Sequence, residues 1–297
     1  MMTDVLQNLS NDLAATVEAA SRSLVRVEGR RRMAASGIIW SDNGLIVTAN
    51  HVVERDENIG VGLPNGAVVN ASVVGRDHTT DIAILKVQAN ELTPAAWATD
   101  AKVGHLVLAV GRPDAGVQAT LGVVSAVGES WRTGAGGMID QYLQTDVVMY
   151  PGFSGGALVT AGGQMLGMNT SGLANGVSLT IPAVTLQRVA QALQAHGRVR
   201  RGFLGVSAQP VRLPAPVAAQ VQQETGLLLA AVEQGSPADQ GGLYLGDTLV
   251  ALDGQAVRHM DDLMAILSGD RVGKAVTAKI VRGGQVHETS VTIGERQ

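Results

Sequence analysis

Short apolar runs, each ended by Gly, Asn or Asp, dominate the chain from residue 23 to residue 182. Runs of this length, separated by turn residues, are typical of antiparallel β-strands. They fall into two clusters of similar size, at residues 23–90 and 101–182. Asp42-Asn43-Gly44 and Pro64-Asn65-Gly66 are strong turn signals inside the first cluster and predict hairpins there. The pattern therefore predicts a mainly β fold with two β-barrels.

Helical spacing marks both ends of this β region. Residues 3–21 place apolar side chains every three or four positions, which predicts either a helix packed on the body or an oligomerisation arm. The residues in this stripe are Leu6, Leu9, Leu13, Val17 and Ala20.

A closing helix is predicted from Ala183 to His196, after the second strand cluster. Val184, Val189 and Leu193 are expected on one side of it, and Gly197 is the predicted stop.

A separate α+β module follows. Its predicted strands cover residues 203–208, 226–232, 247–254, 275–284 and 287–293. Ser236-Pro237-Ala238 is expected to cap a short helix, and Met260 to Leu267 is predicted to form a second one. The domain prediction is an N-terminal helical segment at 1–22, a two-barrel domain with its closing helix at 23–197, and the α+β module at 201–295.

Composition and charge exclude some classes of function. The chain has 297 residues, 45% apolar residues and a net charge of −4, which suits a folded protein with a sizeable core. Its only basic run, Arg30-Arg31-Arg32, is short, and just eight residues are aromatic. A nucleic-acid groove needs clustered Lys and Arg and aromatic stacking platforms, so no nucleic-acid partner is predicted.

Cysteine is absent, which excludes disulfides, thiol nucleophiles and cysteine-based zinc sites, and no metal or cofactor is predicted. Residues 1–20 lack the basic and apolar regions of a signal peptide, and no stretch approaches the roughly 18 apolar residues of a membrane span. The sequence as given predicts a cytoplasmic location, or a periplasmic or extracellular one if an export segment precedes Met1.

The chemistry is concentrated first at Pro151-Gly152-Phe153-Ser154-Gly155-Gly156. A Ser flanked by glycines between strands suits an exposed nucleophile on a tight loop, although a Gly-rich hairpin with an ordinary Ser fits the same letters. The backbone N–H groups of Gly152 and Ser154 can point at one place and form an oxyanion hole.

A serine nucleophile needs a base, and the base needs an acid that orients it. His51 lies where an apolar run gives way to a turn, and Asp81 begins the apolar run 81–87. Alone, His51 could be structural and Asp81 a turn cap. Together, His51 and Asp81 in the first strand cluster and Ser154 in the second predict a catalytic cleft between two barrels.

The stretches LIVTANHVV (45–53), DHTTDIAILKV (77–87) and QTDVVMYPGFSGGALV (144–159) resemble the three catalytic blocks of the HtrA (Deg) family of trypsin-like serine proteases. The resemblance implies a chymotrypsin-like double barrel, action on unfolded or damaged polypeptides in protein quality control, and frequent assembly into trimers. It implies His51 as the general base, Asp81 as its orienting carboxylate and Ser154 as the nucleophile.

By the same resemblance, Met149, Gly172 and Leu173 line the specificity pocket. None of them is acidic, so a small or medium aliphatic P1 side chain is expected. The chain departs from the family at Phe153, where Asn is common, and at Met149-Tyr150, where Ile-Asn is common. Its N-terminal segment also lacks the aromatic residues that often support the family's trimer.

The C-terminal module resembles a PDZ domain. Consecutive N–H groups of Leu204, Gly205 and Val206 are expected to hold a peptide's C-terminal carboxylate. The peptide would add as a strand along residues 203–208, opposite the Met260–Leu267 helix, where Leu263 and Leu267 would line an apolar pocket. The stretch GSPADQGGLYLGDTLVALDGQAV (235–257) is also PDZ-like.

Two functions compete at this point. The first is an active serine endopeptidase whose PDZ domain binds peptide C-termini. The second is a peptide-binding chaperone or scaffold on an inactive or resting protease fold. The complete His51, Asp81 and Ser154 set favours the enzyme, and Phe153 is the feature that favours the second function.

Overall fold

A computed structural model describes residues 2–31, 33–174, 177, 179–267 and 271–296 of the chain. Arg32 of the basic run and Ser178, near the end of the second strand cluster, lie outside the described residues. The chain divides into two units, Met1–Val199 and Arg200–Gln297. Of the helices described, not one combines the length and the apolarity needed to cross a bilayer.

The first unit contains two closed antiparallel barrels of six strands, which confirms the predicted mainly β architecture. In the first barrel the strand order is β1-β2-β3-β6-β5-β4. Its strands are β1 Leu24–Glu28, β2 Ala35–Ile39, β3 Leu45–Ala49, β4 Ile59–Gly62, β5 Val68–Asp77 and β6 Ile82–Val87. The two predicted hairpins are present, since β2 pairs with β3 and β4 with β5.

The second barrel has the order β11-β14-β13-β12-β7-β8. Its strands are β7 Leu106–Gly111, β8 Gln118–Gly128, β11 Tyr142–Thr145, β12 Ala157–Thr160, β13 Met165–Thr170 and β14 Leu179–Pro182. A small hairpin of β9 Trp131–Arg132 and β10 Met138–Ile139 interrupts it. The stretch 138–146, inside the second strand cluster, is divided between β10 and β11.

Helix α1, Met2–Ser21, is only partly packed on the body. Leu13 and Val17 contact the core and Ala20 is buried in it, but Leu6 and Leu9 are 66% and 43% exposed. The C-terminal half therefore follows the packed-helix alternative, and the predicted apolar stripe continues onto an exposed N-terminal half.

Helix α2, Ala183–His196, ends as predicted at Gly197, whose left-handed conformation lets its N–H bond to the Leu193 carbonyl. The buried face differs from the prediction in one residue. Leu186 joins Val189 and Leu193, while Val184 is 41% exposed. Five residues separate 184 from 189, which rotates Val184 off a face that repeats every 3.6 residues.

The apolar core of the first unit joins both barrels to α2. Ile38, Ile46 and Ile84 of the first barrel belong to the same buried cluster as Ile181 of the second barrel and Leu186 of α2. Every residue of β2 and of β3 is buried. These strands therefore give rigid support to the segments that leave them.

The second unit combines antiparallel β-strands with short helices. Its main sheet runs β16-β17-β18-β20-β21, with β19 paired to β18, while β15 and β22 form a separate pair. The strands are β15 Gly202–Phe203, β16 Val206–Arg212, β17 Thr225–Val232, β18 Thr248–Leu252, β19 Gln255–Ala256, β20 Ala275–Arg282, β21 Gln285–Thr292 and β22 Gly294–Glu295. The helices are α3 Ala215–Val221, α4 Pro237–Gln240 and α5 Met260–Ile266.

Two of these elements differ from the sequence prediction. Helix α3 was not predicted, and the predicted strand 203–208 is divided into β15 and β16 by Leu204 and Gly205. Gly205 has a φ of +78°, which extended strand geometry does not allow.

Candidate active site

His51 lies in a single 3-10 turn, Asn50–Val52, directly after the buried strand β3. Its Nδ1 is 2.8 Å from Oδ2 of Asp81, and its backbone N–H donates to Oδ1 of the same carboxylate at 2.9 Å. With Nδ1–H donating to Asp81, the lone pair is on Nε2, which can accept a proton. The imidazole is 32% exposed, so the ring can reach a substrate.

Asp81 is held in an unusual backbone conformation, with a φ of +58°. It therefore precedes strand β6 rather than beginning it, which corrects the predicted strand start. Asp tolerates the left-handed region better than most residues. The carboxylate is 5% exposed and accepts a hydrogen bond from the hydroxyl of Thr170, at the end of β13. The second barrel thus contributes directly to the orientation of the first barrel's acid.

The turn before Asp81 is fixed by buried hydrogen bonds. Asp77 accepts from the N–H and hydroxyl of Thr79 at 3.1 and 2.8 Å and from the hydroxyl of Thr80 at 2.8 Å. Thr133, between β9 and β10, donates to the Thr79 carbonyl at 2.7 Å. The small hairpin of the second barrel therefore rests on the turn that carries Asp81.

Gly172 lies against the His51–Asp81 pair. A Cβ atom at Gly172 would be 2.6 Å from Oδ2 of Asp81 and 2.8 Å from Nδ1 of His51. No larger residue fits there without displacing the pair. Among the residues predicted for the specificity pocket, Met149 lines the cleft that contains Ser154, whereas Leu173 packs half-buried against the main core.

Ser154 follows a tight turn. The N–H of Phe153 donates to the Tyr150 carbonyl at 3.0 Å, Pro151 is the second residue of the turn, and Gly152 is the third, with a φ of +91°. Proline followed by a residue of positive φ is the arrangement of a type II turn, which favours glycine at the third place.

Phe153 anchors this turn in the second barrel. Its side chain is fully buried, packs in the cluster that contains Val107, Leu143 and Leu158, and meets the ring of Tyr150 edge-on at 5.8 Å. The departure from the family's common Asn thus places an aromatic ring in the barrel core below the nucleophile.

Ser36 of β2 joins the nucleophile loop to both barrels. Its hydroxyl donates to the Gly152 carbonyl at 2.7 Å and accepts from the N–H of Arg112 at 2.8 Å. Its backbone N–H donates to the Ser154 carbonyl at 3.1 Å. The carbonyls of Gly152 and Ser154 are thus hydrogen-bonded to Ser36, whereas the N–H groups of both residues are still available as donors. Within the described part of the chain, neither N–H donates to a backbone or side-chain acceptor.

Ser154 and His51 line one cleft of about 680 Å³, together with Met149, Tyr150 and Ser171. The Ser154 hydroxyl is 3.1 Å from the Ser171 hydroxyl and 3.4 Å from the Ser171 N–H. Among the described residues, these are its hydrogen-bond partners, and the imidazole of His51 is not one of them. The structure therefore brings His51 and Ser154 to one cleft, with Asp81 hydrogen-bonded behind His51 and the Ser154 hydroxyl hydrogen-bonded to Ser171.

Three of the predicted PDZ residues, Leu204, Gly205 and Val206, lie at the start of β16. Among the residues placed in the structure, no acceptor takes the N–H of Leu204 or Gly205, whereas the carbonyls of both accept hydrogen bonds, from Ala238 and Glu233. Val206 begins β16, which is an edge strand of the sheet. Leu263 and Leu267, from α5 and its C-cap, are buried in the core of this unit.

Sequence reasoning missed Ser36, Thr170 and Ser171. Each is a short polar residue in or beside an apolar strand, and that is the one local signal that could have indicated them. The hydroxyls of Ser36 and Thr170 form hydrogen bonds with groups 76 to 116 positions away, and Ser171 meets Ser154 from a different loop, so pairing them requires the fold. Across the described residues, His, Asp and Glu side chains nowhere gather in threes as a metal site would need.

Comparison with known families agrees with this geometry. The profile of the trypsin-like peptidase domain matches residues 35–168, and the profile of the PDZ domain matches residues 202–293. The two closed barrels and the cleft between them thus belong to a trypsin-like serine protease, followed by a PDZ domain.

The crystal structure of the serine endoprotease from Yersinia pestis superimposes with a TM-score of 0.80 at 30% identity, covering 96% of this chain and 98% of that one. The HtrA-type protease AlgW with a decapeptide gives 0.80 at 28% identity, covering 96% and 99%. The chain belongs to the HtrA family of serine proteases.

Curated relatives are longer. A probable periplasmic serine endoprotease, DegP-like, from Chlamydia trachomatis is 35% identical over 283 residues, which is 92% of this chain. The chain spans 56% of the length of that relative.

Proposed function

We propose that this chain is a serine endopeptidase in which His51, Asp81 and Ser154 act as the triad. The observation that carries the proposal is the double contact of the Asp81 carboxylate with His51, beside Ser154 in the same cleft. An imidazole oriented in this way is a general base for a neighbouring hydroxyl.

The reaction follows from these positions. Nε2 of His51 takes the proton of the Ser154 hydroxyl as Oγ attacks the scissile carbonyl, and the N–H groups of Gly152 and Ser154 stabilise the oxyanion. The imidazolium then gives its proton to the leaving amine, and an acyl-enzyme remains. Water, deprotonated by His51, releases the acyl group and restores Ser154.

The hydrogen bond between Ser154 and Ser171 supports a resting state, which substrate binding would convert into the active state. In this state the nucleophile is 3.1 Å from Ser171 and is not bonded to its base. This observation also favours the second candidate function, a peptide-binding chaperone or scaffold whose protease site stays inactive. The endopeptidase function requires the Ser154 side chain to rotate towards His51, whereas the chaperone or scaffold function does not.

Labelling with a fluorescent fluorophosphonate tests the proposal. We expect the wild-type chain to be labelled and Ser154→Ala to remain unlabelled, with Ser72→Ala, an exposed strand residue, as the matched control. Absence of wild-type labelling, with and without an unfolded protein substrate such as casein, would leave the chaperone function.

Substrate selection is the next part of the proposal. Met149 offers an apolar surface in the cleft, which favours a small or medium aliphatic P1 residue, and unfolded polypeptides expose such residues. Cleavage-site mapping of denatured protein by mass spectrometry tests this, because a preference for Lys or Arg at P1 would contradict it.

The PDZ unit is proposed to bind peptide C-termini. The unbonded N–H groups of Leu204 and Gly205 and the edge strand β16 suit a carboxylate and an added strand, and Leu263 and Leu267 belong to the same apolar cluster as Leu204. A peptide ending in a free carboxylate should bind, and the same peptide with an amidated C-terminus should not.

Assembly and location complete the proposal. A homotrimer is proposed from the family relationship, and light scattering on the purified chain tests it. A periplasmic location is proposed from the Chlamydia relative's description. Fractionation of the native cells, with the protein found in the periplasmic or the cytoplasmic fraction, decides the compartment.

A further inference from the structure

A second cleft, lined by arginines, adjoins the proposed catalytic cleft. It has a volume of about 770 Å³. Its charged lining consists of four arginines and two carboxylates: Arg26, Arg30, Arg31, Arg55, Glu28 and Asp114. The local excess of positive charge is opposite in sign to the whole chain, whose net charge is −4.

Two of these guanidinium groups are oriented without being neutralised. Nε of Arg30 donates to the Met33 carbonyl at 2.7 Å, and Nη2 of Arg55 donates to the Glu28 carbonyl at 2.8 Å. Carbonyl acceptors fix a side chain but cancel none of its charge. The Glu28 carboxylate pairs with Arg26 at 2.6 Å, and within the described residues no carboxylate pairs with Arg30, Arg31 or Arg55.

The two clefts are continuous. Arg30, Arg31, Met33 and Pro151 line both of them, whereas Met149 and Ser171 line the catalytic cleft alone. Pro151 directly precedes the proposed oxyanion donor Gly152. A peptide that places its P1 side chain beside Met149 and continues past Pro151 enters the arginine-lined cleft.

We infer that this cleft is a subsite for acidic side chains on the leaving-group side of the scissile bond. An extended peptide advances about 3.3 Å per residue, so the residues directly after that bond are the first to reach a cleft that begins at Pro151. Guanidinium groups bind carboxylates through two parallel hydrogen bonds, which makes Asp and Glu the matching side chains. The inference rests on the proposed peptidase function and deepens it.

The test uses the full chain carrying Ser154→Ala, so that peptides bind without being cleaved. Three fluorescent peptides with Val as the intended P1 residue differ in two positions: Glu-Glu after Val, Gln-Gln after Val, and Glu-Glu before Val. All carry an amidated C-terminus, which removes the carboxylate that a PDZ site would bind. Fluorescence anisotropy gives the dissociation constants.

The peptide with Glu-Glu after Val is expected to bind about fivefold more tightly than its Gln-Gln partner. The difference should shrink as salt rises from about 0.05 M to about 0.5 M, because the cleft is open to solvent. It should be lost in Arg30→Gln/Arg31→Gln and retained in Arg22→Gln/Lys102→Gln, a pair of exposed residues outside both clefts that removes the same charge.

Equal binding of the Glu and Gln peptides would overturn the inference, and so would a preference that survives Arg30→Gln/Arg31→Gln. Tighter binding of the peptide with Glu-Glu before Val would place the acidic subsite on the acyl side of the scissile bond, and this too would overturn the inference. Fluorophosphonate labelling of the chain with Ser154 intact tests the peptidase function separately from the subsite. Failure to label would refute the peptidase function, while the peptide comparison would still decide whether the acidic subsite exists.

Discussion

At the scale of single residues, the position of the His51 imidazole depends on small neighbouring residues. Asp81 contacts His51 through both carboxylate oxygens and is itself held by Thr170. Gly172 leaves no space for a Cβ beside this pair. The catalytic geometry is therefore specified by buried contacts on one side of the imidazole, while the other side is open to substrate.

Asp81→Asn tests the role of the carboxylate. We expect turnover of a peptide substrate to fall by up to about 10⁴-fold, because an amide no longer selects the Nδ1–H tautomer or stabilises the imidazolium. Thermal unfolding should show that the fold is kept, and Asp100→Asn, an exposed residue, serves as the control. Unchanged turnover would remove Asp81 from the triad.

Ser171→Ala tests the hydrogen bond between Ser171 and the proposed nucleophile, Ser154. Without the Ser171 hydroxyl, the Ser154 hydroxyl is released to bond with His51, so fluorophosphonate labelling should accelerate. A neutral hydrogen bond has a net value of about 1 kcal/mol, which corresponds to an increase of roughly fivefold. Slower labelling of Ser171→Ala than of Ser72→Ala would mean that Ser171 assists the reaction instead.

At the scale of elements, the catalytic loop is positioned by packing as well as by hydrogen bonds. Phe153, which lies in sequence between the proposed oxyanion donors Gly152 and Ser154, is buried in the second barrel. The turn that carries the proposed oxyanion hole is therefore attached to a barrel core through one aromatic ring.

Phe153→Ala is expected to lower the free energy of unfolding by about 3–5 kcal/mol, because it leaves a cavity in the barrel core. Urea unfolding followed by tryptophan fluorescence measures this, since all three tryptophans lie in the first unit. Phe153→Leu, which retains most of the volume, should cost less and keep more activity. Equal losses in the two variants would show that filling the core is not what Phe153 contributes.

In the PDZ unit, Asp247 and Arg282 join β18 to β20. The Asp247 side chain is 2% exposed and accepts from Nε and Nη2 of Arg282, each at 2.7 Å, and from the Tyr244 N–H at 2.8 Å. Its hydrogen bonds to Arg282 raise the pKa of that guanidinium above the ordinary value. The buried carboxylate thus depends on a cation that remains charged.

Asp247→Asn should destabilise this unit by about 1–3 kcal/mol, because the amide cannot accept both guanidinium bonds. Hydrogen exchange of the β17, β18 and β20 amides is the appropriate measurement. Asp261→Asn, on the exposed start of α5, is the control. Unaltered exchange in Asp247→Asn would contradict a structural role for the pair.

At the scale of the whole molecule, the sequence was sufficient to predict two barrels, a closing helix and an α+β module, because strand runs and glycine turns are local signals. It also singled out His51 after an apolar run, Asp81 at the start of one and Ser154 on a loop between strands. It could not predict Ser36, Thr170 or Ser171, whose roles come from pairing between distant strands. Nor could it show that Leu6 and Leu9 stay exposed while Leu13 packs, since one helical stripe contains all of them.

The barrels act together in this account. His51 and Asp81 come from the first, Ser154 and Thr170 from the second, and Ser36 connects the first to the nucleophile loop. Catalysis in the cleft between the barrels therefore requires both barrels to be folded and correctly packed against each other.

A crystal structure of the fluorophosphonate adduct tests this arrangement most directly. The account predicts a covalent bond at Oγ of Ser154, with the phosphonyl oxygen about 2.7–3.1 Å from the N–H groups of Gly152 and Ser154. Attachment to another residue, or a phosphonyl oxygen turned away from both donors, would contradict it.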